Sequence, residues 1–382
     1  MFSRKPHWGV FISFGLYSFA FGALFPRLGD LQLQLGISQT ILGLSIIGIS
    51  LGVQISLIIA GRIIDIIGFR RSMLWGVPLV SLSEMMAATA SAPIHLFTGL
   101  FLTGLCIGLI EVAVNLEADR VEHQLGRRIM NRSHAFWSFG FFLAGISGAL
   151  IAQIGLSAFQ HMAGFFAINT VLAIIIFRHY EPAPKRSDDE GGHILFARPT
   201  KPILLLVALS LSAMLLEGAG IDWSVIFMRD IFSTPPFING LALALFAISQ
   251  FGVRYVADSY VERFGPEKVA LYSIIILGCG VLAVSLAPHP VVALLGFCLT
   301  GGGTAVIFPL TISAAAQLKD RSSAVNVASF AQLSFVVFLL APPLLGVVAD
   351  LFGIRISYAI GLPLVLLSFF TISSLGRANI NK

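Results

Sequence analysis

Windows of about twenty apolar residues recur twelve times along this chain, and that recurrence limits its fold more than any other feature. A helix rises about 1.5 Å per residue, so about twenty apolar residues reach across a hydrocarbon layer about 30 Å thick. The windows fall near 7–28, 38–60, 72–92, 94–118, 134–155, 160–178, 202–228, 237–257, 269–288, 290–315, 324–347 and 354–375. They are continuous rather than alternating, which points to helices and not barrel strands. Of the 382 residues, 11% are charged and 57% hydrophobic. The charged share is under half the roughly 25% of soluble domains, so it cannot clothe a water-soluble surface. The expected fold is an all-α membrane protein of twelve transmembrane helices. The basic start and the apolar run after it, with no small-residue cleavage site, read as the first span rather than a removed signal.

The basic residues orient the spans. The stretch EPAPKRSDDEGGHILFARPTK after span six is the longest polar segment and reads as a cytoplasmic linker over 180–201, between six-helix bundles at 1–179 and 202–382. With both termini on the linker's side, 21 of the 24 Lys and Arg fall on that side and Arg27, Arg229 and Arg355 on the other. Cytoplasmic loops carry such an excess, so both termini are expected in the cytoplasm. The net charge of +5 is therefore topological and not a nucleic-acid signal. Cys106, Cys279 and Cys298 lie in expected helices without paired spacing, and no His/Cys cluster has metal-ligand spacing, so neither a disulfide framework nor a metal or cofactor is expected.

The two bundles carry an internal repeat. AGRIIDIIGFRR (60–71) follows span two, and ADSYVERFGPEK (257–268) follows span eight. A shift of 197 residues lays Asp65 on Glu262, Gly68 on Gly265 and Arg71 on Lys268. An acid, then a glycine, then a base closes both turns. Gly61 permits close helix approach, Asp65 suits a helix cap or a cation, and Arg70 and Arg71 anchor at the interface; with Glu262 and Gly265 they form the expected gating motif.

Inside the spans, polar residues are rare enough to be informative. Gly104, Gly108, Glu111 and Asn115 fall at 0, +4, +7 and +11, one face of the fourth helix. Glycines admit a neighbouring helix or a substrate, and a carboxylate in hydrocarbon costs roughly 2.5–3.5 kcal/mol on insertion scales. Glu111 is therefore expected to face a cavity or a partner, as a binding or proton site; the alternative is a neutral packing contact. Tyr17 belongs to an aromatic stripe with Phe14, Phe21 and Phe25 that suits a ring-bearing solute if it lines the cavity. His134 and Trp137 open span five, one turn apart, and His134 titrates near neutral pH. Glu217 and Asp222 flank glycines on span seven, and Gln250, Asn326 and Gln332 offer uncharged hydrogen bonds. Arg254 is either a counter-ion to one of these acids or an interfacial anchor. Glu84 in span three is either a proton site or a partner for a neighbouring helix. Glu117, Asp119, Arg120 and Glu122 close span four as ion pairs of a solvated end or of a gate, and Gly301–Gly303 before Pro309 loosen span ten.

At G-R-I-I-D-I-I-G-F-R-R the chain resembles the major facilitator superfamily, whose signature between helices two and three has Gly, Asp, Gly and basic residues at this spacing. The likeness covers the whole chain, and the second copy carries Asp258 and Glu267 where a Gly and a base would stand. It implies two pseudo-symmetric six-helix bundles that rock about a midplane site. EVAVNLEADRVEHQLGRRIMNRSHAFWSFG (111–140), EGAGIDWSVIFMRD (217–230), FPLTISAAA (308–316) and APPLLGVVADLFGIR (341–355) resemble the fucose-permease-like branch of bacterial inner-membrane proteins. Glu111 and Asn115 match that branch's fourth-helix Glu-x-x-x-Asn, and the resemblance implies that Glu111 takes part in sugar binding and proton coupling, although the sugar-plus-proton pair of acids does not carry over intact. The acid this branch carries on its first helix is absent, with Gly22 near its place.

The expected function is secondary active transport of a small organic solute, sugar-like or ring-bearing, by proton-coupled uptake. The chain carries no P-loop for ATP and no hydrolase or metalloprotease signature, so no enzyme activity is expected. Span five, FGFFLAGISGALIA, lacks the proline of the superfamily's drug/proton exporters and leans toward uptake. Proton-driven efflux of small amphipathic compounds and a transport-inactive sensor are the alternatives. The expected partners are a small-molecule solute, protons and the lipid bilayer, with the chain a monomer in the bacterial inner membrane.

Overall fold

The structure, a computed structural model, describes residues 5–185 and 197–377; half of the expected linker, 186–196, lies outside the described residues. Helices follow one another as α1 (Pro6–Gly22), a 3-10 turn (Phe25–Arg27), α2 (Leu28–Leu35), α3 (Gln39–Ala88), α4 (Pro93–Leu125), α5 (Met130–Gln153), α6 (Ala158–Phe177), α7 (Lys201–Asp222) and α8 (Ser224–Phe232). Then come α9 (Pro236–Phe264), α10 (Pro266–Ser285), α11 (Pro290–Thr304), α12 (Ile307–Gln317), α13 (Ser323–Phe352), α14 (Ile354–Ala359), α15 (Gly361–Thr371) and α16 (Ser374–Arg377). Among the described residues, 11 helical stretches are long and apolar enough to cross a membrane. The 50-residue α3 makes two crossings, the expected spans two and three, and bends at Gly68, whose φ of 76° and ψ of 161° are non-helical. The twelve expected crossings are thus present.

Local chemistry sets where the helices begin. Proline occupies the first turn of α1, α4, α7, α9, α10 and α11, where its missing N–H would have no partner in any case. Ser38 accepts from the Ile41 amide, and Ser157 forms a reciprocal capping box with Gln160. Several expected spans are broken. Span one stops at Gly22 and continues as the turn and α2. Span seven stops at Asp222, before α8. Span ten is interrupted at Ala305–Val306, just after Gly301–Gly303, and the last span splits into α14 and α15. The outer surface is apolar. Ile66 is 80% exposed, Trp75 69% and Phe370 77%, a pattern that suits lipid and not water.

The 197-residue repeat holds at contacts outside the loops that suggested it. Gly265 has φ 82° and ψ 157°, nearly the conformation of Gly68, and only glycine adopts it without strain. A Cβ on Gly104 would lie 2.1 Å from the Ile49 carbonyl, and one on Gly301 would lie 2.1 Å from that of Phe246, 197 residues further on in both partners. Gly99 against Ala87 is matched in the same way by Gly296 against Val284. The glycines of α4 and α11 thus serve close helix packing, α4 on α3, and α11 on α9 and α10.

The halves meet along two seams. At the end opposite the linker, here the far end, Asp350 on α13 accepts from the Gln39 and Thr40 amides that open α3, at 3.1 and 2.8 Å. On the other seam Gln153, at the end of α5, accepts from the Phe237 amide that opens α9, at 3.1 Å. Gln153 and Asp350 are again 197 apart, so one pseudo-twofold device caps both helices. Toward the linker end the seams differ. The α5–α9 seam continues through edge-on and tilted contacts of Phe136 and Phe139 with Phe251 to Asn131, which donates to Asp258, and Arg132, which covers the Tyr255 ring. On the α3–α13 seam the described hydrogen bonds run only to Ser50 and the Phe338 carbonyl.

Candidate functional site

A polar cluster lies where the halves meet, midway along the crossing helices. Arg254 on α9 is its hub. Its Nη2 donates to Glu217 Oε1 of α7 at 2.9 Å, its Nη1 to Ser138 Oγ of α5 at 2.8 Å, and its Nε to the Ala305 carbonyl at 3.1 Å. The Ala305 carbonyl is free because α11 breaks there, so the glycine-loosened span supplies an acceptor that an intact helix would consume. Gln250, one turn before Arg254, donates to Glu217 Oε1 at 2.8 Å and to Thr304 Oγ1 at 3.3 Å, and accepts from Ser138 Oγ at 3.3 Å. Arg254 and Glu217 side chains are each 13% exposed, enough to touch water but not to be screened by it. Such a pair is held by added hydrogen bonds, here from Gln250 to Glu217 and from Arg254 to Ser138 and the Ala305 carbonyl.

Aromatic and ionisable groups from the first half surround this hub. Tyr17 on α1 is 3% exposed, with Glu111 of α4, Trp137 of α5 and Arg254 all close enough to act on its hydroxyl. Trp137 stacks on Phe141 at 5.0 Å, and His134 packs edge-on against Phe14 at 5.1 Å within reach of the Arg254 charge. Glu111 is half-buried, and among the described residues its carboxyl makes no hydrogen bond or ion pair. The structure therefore brings together Tyr17, Glu111, His134, Trp137, Glu217 and Gln250, with Arg254 as counter-ion.

The other sequence candidates lie elsewhere. Asn115 donates to the Glu111 carbonyl at 2.8 Å, so its amide serves its own helix. Asp222 is buried at the far end of α7, near Tyr358, five residues and more than one turn from Glu217. Asn326 starts α13 at the linker end and donates to Asp320 at 2.9 Å, clamping a loop. Gln332 accepts from the Ala197 amide at 3.2 Å, tying linker to helix.

The residues of the expected gating motif lie at the linker end. Gly61 is half-buried, and Asp65, Arg70, Arg71 and Glu262 are exposed. Asp65 pairs with Lys185 at 2.9 Å. Glu117 accepts from the Tyr180 hydroxyl and the Ala183 amide at 3.1 and 2.9 Å; burial first, and then the Glu117 charge, hold the Tyr180 hydroxyl above its ordinary range of ionisation. Glu122 accepts from the Ile129 and Met130 amides, so its carboxylate fastens the turn into α5.

Sequence reasoning passed over four contributors. Ser138 gives no sign by itself, because a lone serine in a helix is ordinary. Asp350 and Gln153 were detectable: Asp350-x-x-Gly353-x-Arg355 repeats the acid–glycine–base spacing of Asp65-x-x-Gly68-x-Arg70, and Gly353 adopts the same backbone as Gly68 (φ 86°, ψ 151°). Arg229 counted only as a topological exception, yet it reaches across the far end to the Gly29 carbonyl and Gln32, both at 2.7 Å.

Comparison with known proteins gives one consistent answer. The family model described as Major Facilitator Superfamily matches residues 10–330 and 205–379. The uncharacterised transporter y4wD of Sinorhizobium fredii is 27% identical over 93% of this chain and 94% of its own length. The multidrug resistance protein MdtL of Klebsiella pneumoniae is 25% identical over 79% of this chain and 80% of its own. Among solved structures, a D-xylose–proton symporter superposes with a TM-score of 0.77 at 13% identity, covering 97% of both chains. Twelve apolar crossings, a repeat that recurs contact for contact and a family match over nearly the whole length converge: the chain belongs to the Major Facilitator Superfamily, and it is a membrane transporter rather than an enzyme.

Proposed function

We propose that this transporter carries a small, polar, ring-bearing solute by alternating access, with proton-coupled uptake as its direction. One observation carries the reading: the Arg254–Glu217–Gln250–Ser138 cluster bridges the two halves, and Tyr17 lies within reach of both Arg254 and an unpartnered Glu111. A solute seated between Tyr17, Trp137 and His134 would find stacking faces and both signs of charge. That combination suits a neutral solute rich in hydroxyls. Glu111 has no protein partner to lose, so its proton can be exchanged for solute contacts. The likeness in fold to a D-xylose–proton symporter supports both sugar-like cargo and proton coupling.

The halves, 1–179 and 202–382, are read as units that rock about this cluster, with 180–201 as their tether and the chain working as a monomer. The basic-residue excess puts the linker and both termini in the cytoplasm of a bacterial inner membrane. The far end is sealed on both seams, whereas the α3–α13 seam loosens toward the linker, which corresponds to a state facing the cytoplasm.

The test starts with a thermal-shift screen of purified protein against sugars, nucleosides, polyols and vitamins, because a ligand of the native state raises its melting point. Solute-induced proton movement is then measured in proteoliposomes for wild type and Glu111→Gln. Loss of the proton signal with retained solute binding supports the role; an unchanged signal removes Glu111 from coupling. The 25% likeness to MdtL keeps efflux as the second reading, which instead predicts resistance to several unrelated amphipathic compounds on expression.

A further inference from the structure

Glu84, on the second half of α3, is 1% exposed, and neither carboxyl oxygen has a hydrogen-bond partner. It faces a cleft lined by Phe21, Phe25, Leu28, Ile49, Leu100 and Thr103 with no room for a water molecule. The Thr103 hydroxyl is committed to Ser83 Oγ and the Gly99 carbonyl, at 2.9 and 3.0 Å, and does not solvate the carboxyl. No charged group lines the cleft among the described residues. Arg27 on the 3-10 turn is directed at Asp30 and the Leu156 carbonyl, Arg229 of α8 at Gly29 and Gln32, and His161 of α6 lies edge-on to Phe165. A carboxylate there would lack every form of compensation, so the cleft as built accommodates the uncharged acid.

The lid of this cleft is also the far-end gate. Phe25 and Leu28 pack into one core cluster with Trp223, Val225 and Ile226 of the opposite half. Arg229 pins the backbone just after Leu28, at the Gly29 carbonyl. When the halves part at this end, the lid loses that packing and water reaches Glu84.

We propose that Glu84 is a proton-binding site, separate from the central cluster, that takes one proton from the solution at the far end as that end closes and returns it there on reopening. The balance is one carboxylate plus one proton giving one carboxylic acid, with no net proton carried across. Glu84 thereby links closure to pH on the far side. With one proton bound on closing, each unit rise in pH lowers the closed population up to about tenfold. The inference rests on the alternating-access reading but not on Glu111.

The experiment uses full-length protein with Cys106, Cys279 and Cys298 replaced by serine and Ile46→Cys added as a reporter inside the gate. Maleimide labelling of this reporter is followed across the neutral pH range with and without Glu84→Gln, and the ratio of the two rates cancels the thiol's own titration. The ratio should climb toward tenfold per pH unit, and climb equally in a Glu111→Gln background, which separates this site from the coupling proposal. Infrared spectroscopy of the reporter-free protein should show a carboxylic C=O band that Glu84→Gln removes. That band should bleach at alkaline pH when the gate is free, and persist when cysteines at Gln39 and Asp350 are bridged by a short bismaleimide. A flat labelling ratio would overturn the proposal, as would bleaching of the band with the gate bridged shut.

Discussion

Replacing Arg254 with leucine tests the central cluster most directly. The guanidinium makes three hydrogen bonds, to α5, to α7 and to the break after α11, and the side chain is 13% exposed. Breaking a buried pair by removing one partner costs about 3–5 kcal/mol, chiefly because the remaining charge is stranded. Here Glu217 keeps its hydrogen bond from Gln250, and a bond to a charged group contributes about 1.5–3 kcal/mol. The expected loss is therefore about 2–3 kcal/mol, a Tm fall of a few degrees for a chain of this size. Glu217→Leu strands Arg254 in turn, with only Ser138 and a carbonyl left, and costs a similar amount. The double variant strands neither charge, so it should lose about 2 kcal/mol less than the sum of the singles. Thermal unfolding of purified protein in one detergent at fixed concentration gives the cycle. Additive losses would mean that the 2.9 Å contact contributes no coupling, and the cluster would then be no more than a set of neighbours.

Other outcomes follow from the same geometry. Gly104→Val and Gly301→Val should each abolish folded protein on size-exclusion chromatography, since even a Cβ would sit 2.1 Å from a backbone oxygen, whereas Gly164→Ala, with open space around it, should elute normally. Bridging Gln39→Cys to Asp350→Cys should hold the far end shut and stop flux of any solute found by the screen, because those residues join the halves there; full flux in the bridged protein would show that the seam does not move. Lys185→Ala should change Tm by less than about 1 kcal/mol equivalent, because both partners of its pair with Asp65 are more than half exposed.

Much of this architecture was legible in one dimension. Lipid imposes a span length and forbids unpaired backbone, so twelve apolar windows could become little else than twelve helices. The shift of 197 residues read from two short loops later described helix contacts and end caps that share no obvious sequence, because a duplicated backbone conserves where main chains touch even after side chains diverge. The breaks after Gly22 and Asp222 were not legible, because hydropathy averages over a window whereas a helix ends at a single backbone junction; the break after Thr304 was announced by Gly301–Gly303, though not at which residue.

The candidate site divides along the same line. Residue type and depth were enough to single out Glu111, Tyr17, His134, Trp137, Glu217 and Gln250, because a polar group in hydrocarbon must have a reason to be there. Which of them act together was not in the string. Asn115 and Asp222 look equivalent to Glu111 and Glu217 by type and spacing, yet one amide turns back on its own helix and the other acid lies at the far end. Ser138, Arg229 and Asp350 acquire their roles only from helices more than a hundred residues away. The chain by itself determined the solvent it lives in, its number of crossings and its duplication, all of which depend on local composition and period. Tertiary packing decided which charge faces which, because an ion pair is set by ångströms between helices that sequence distance does not measure.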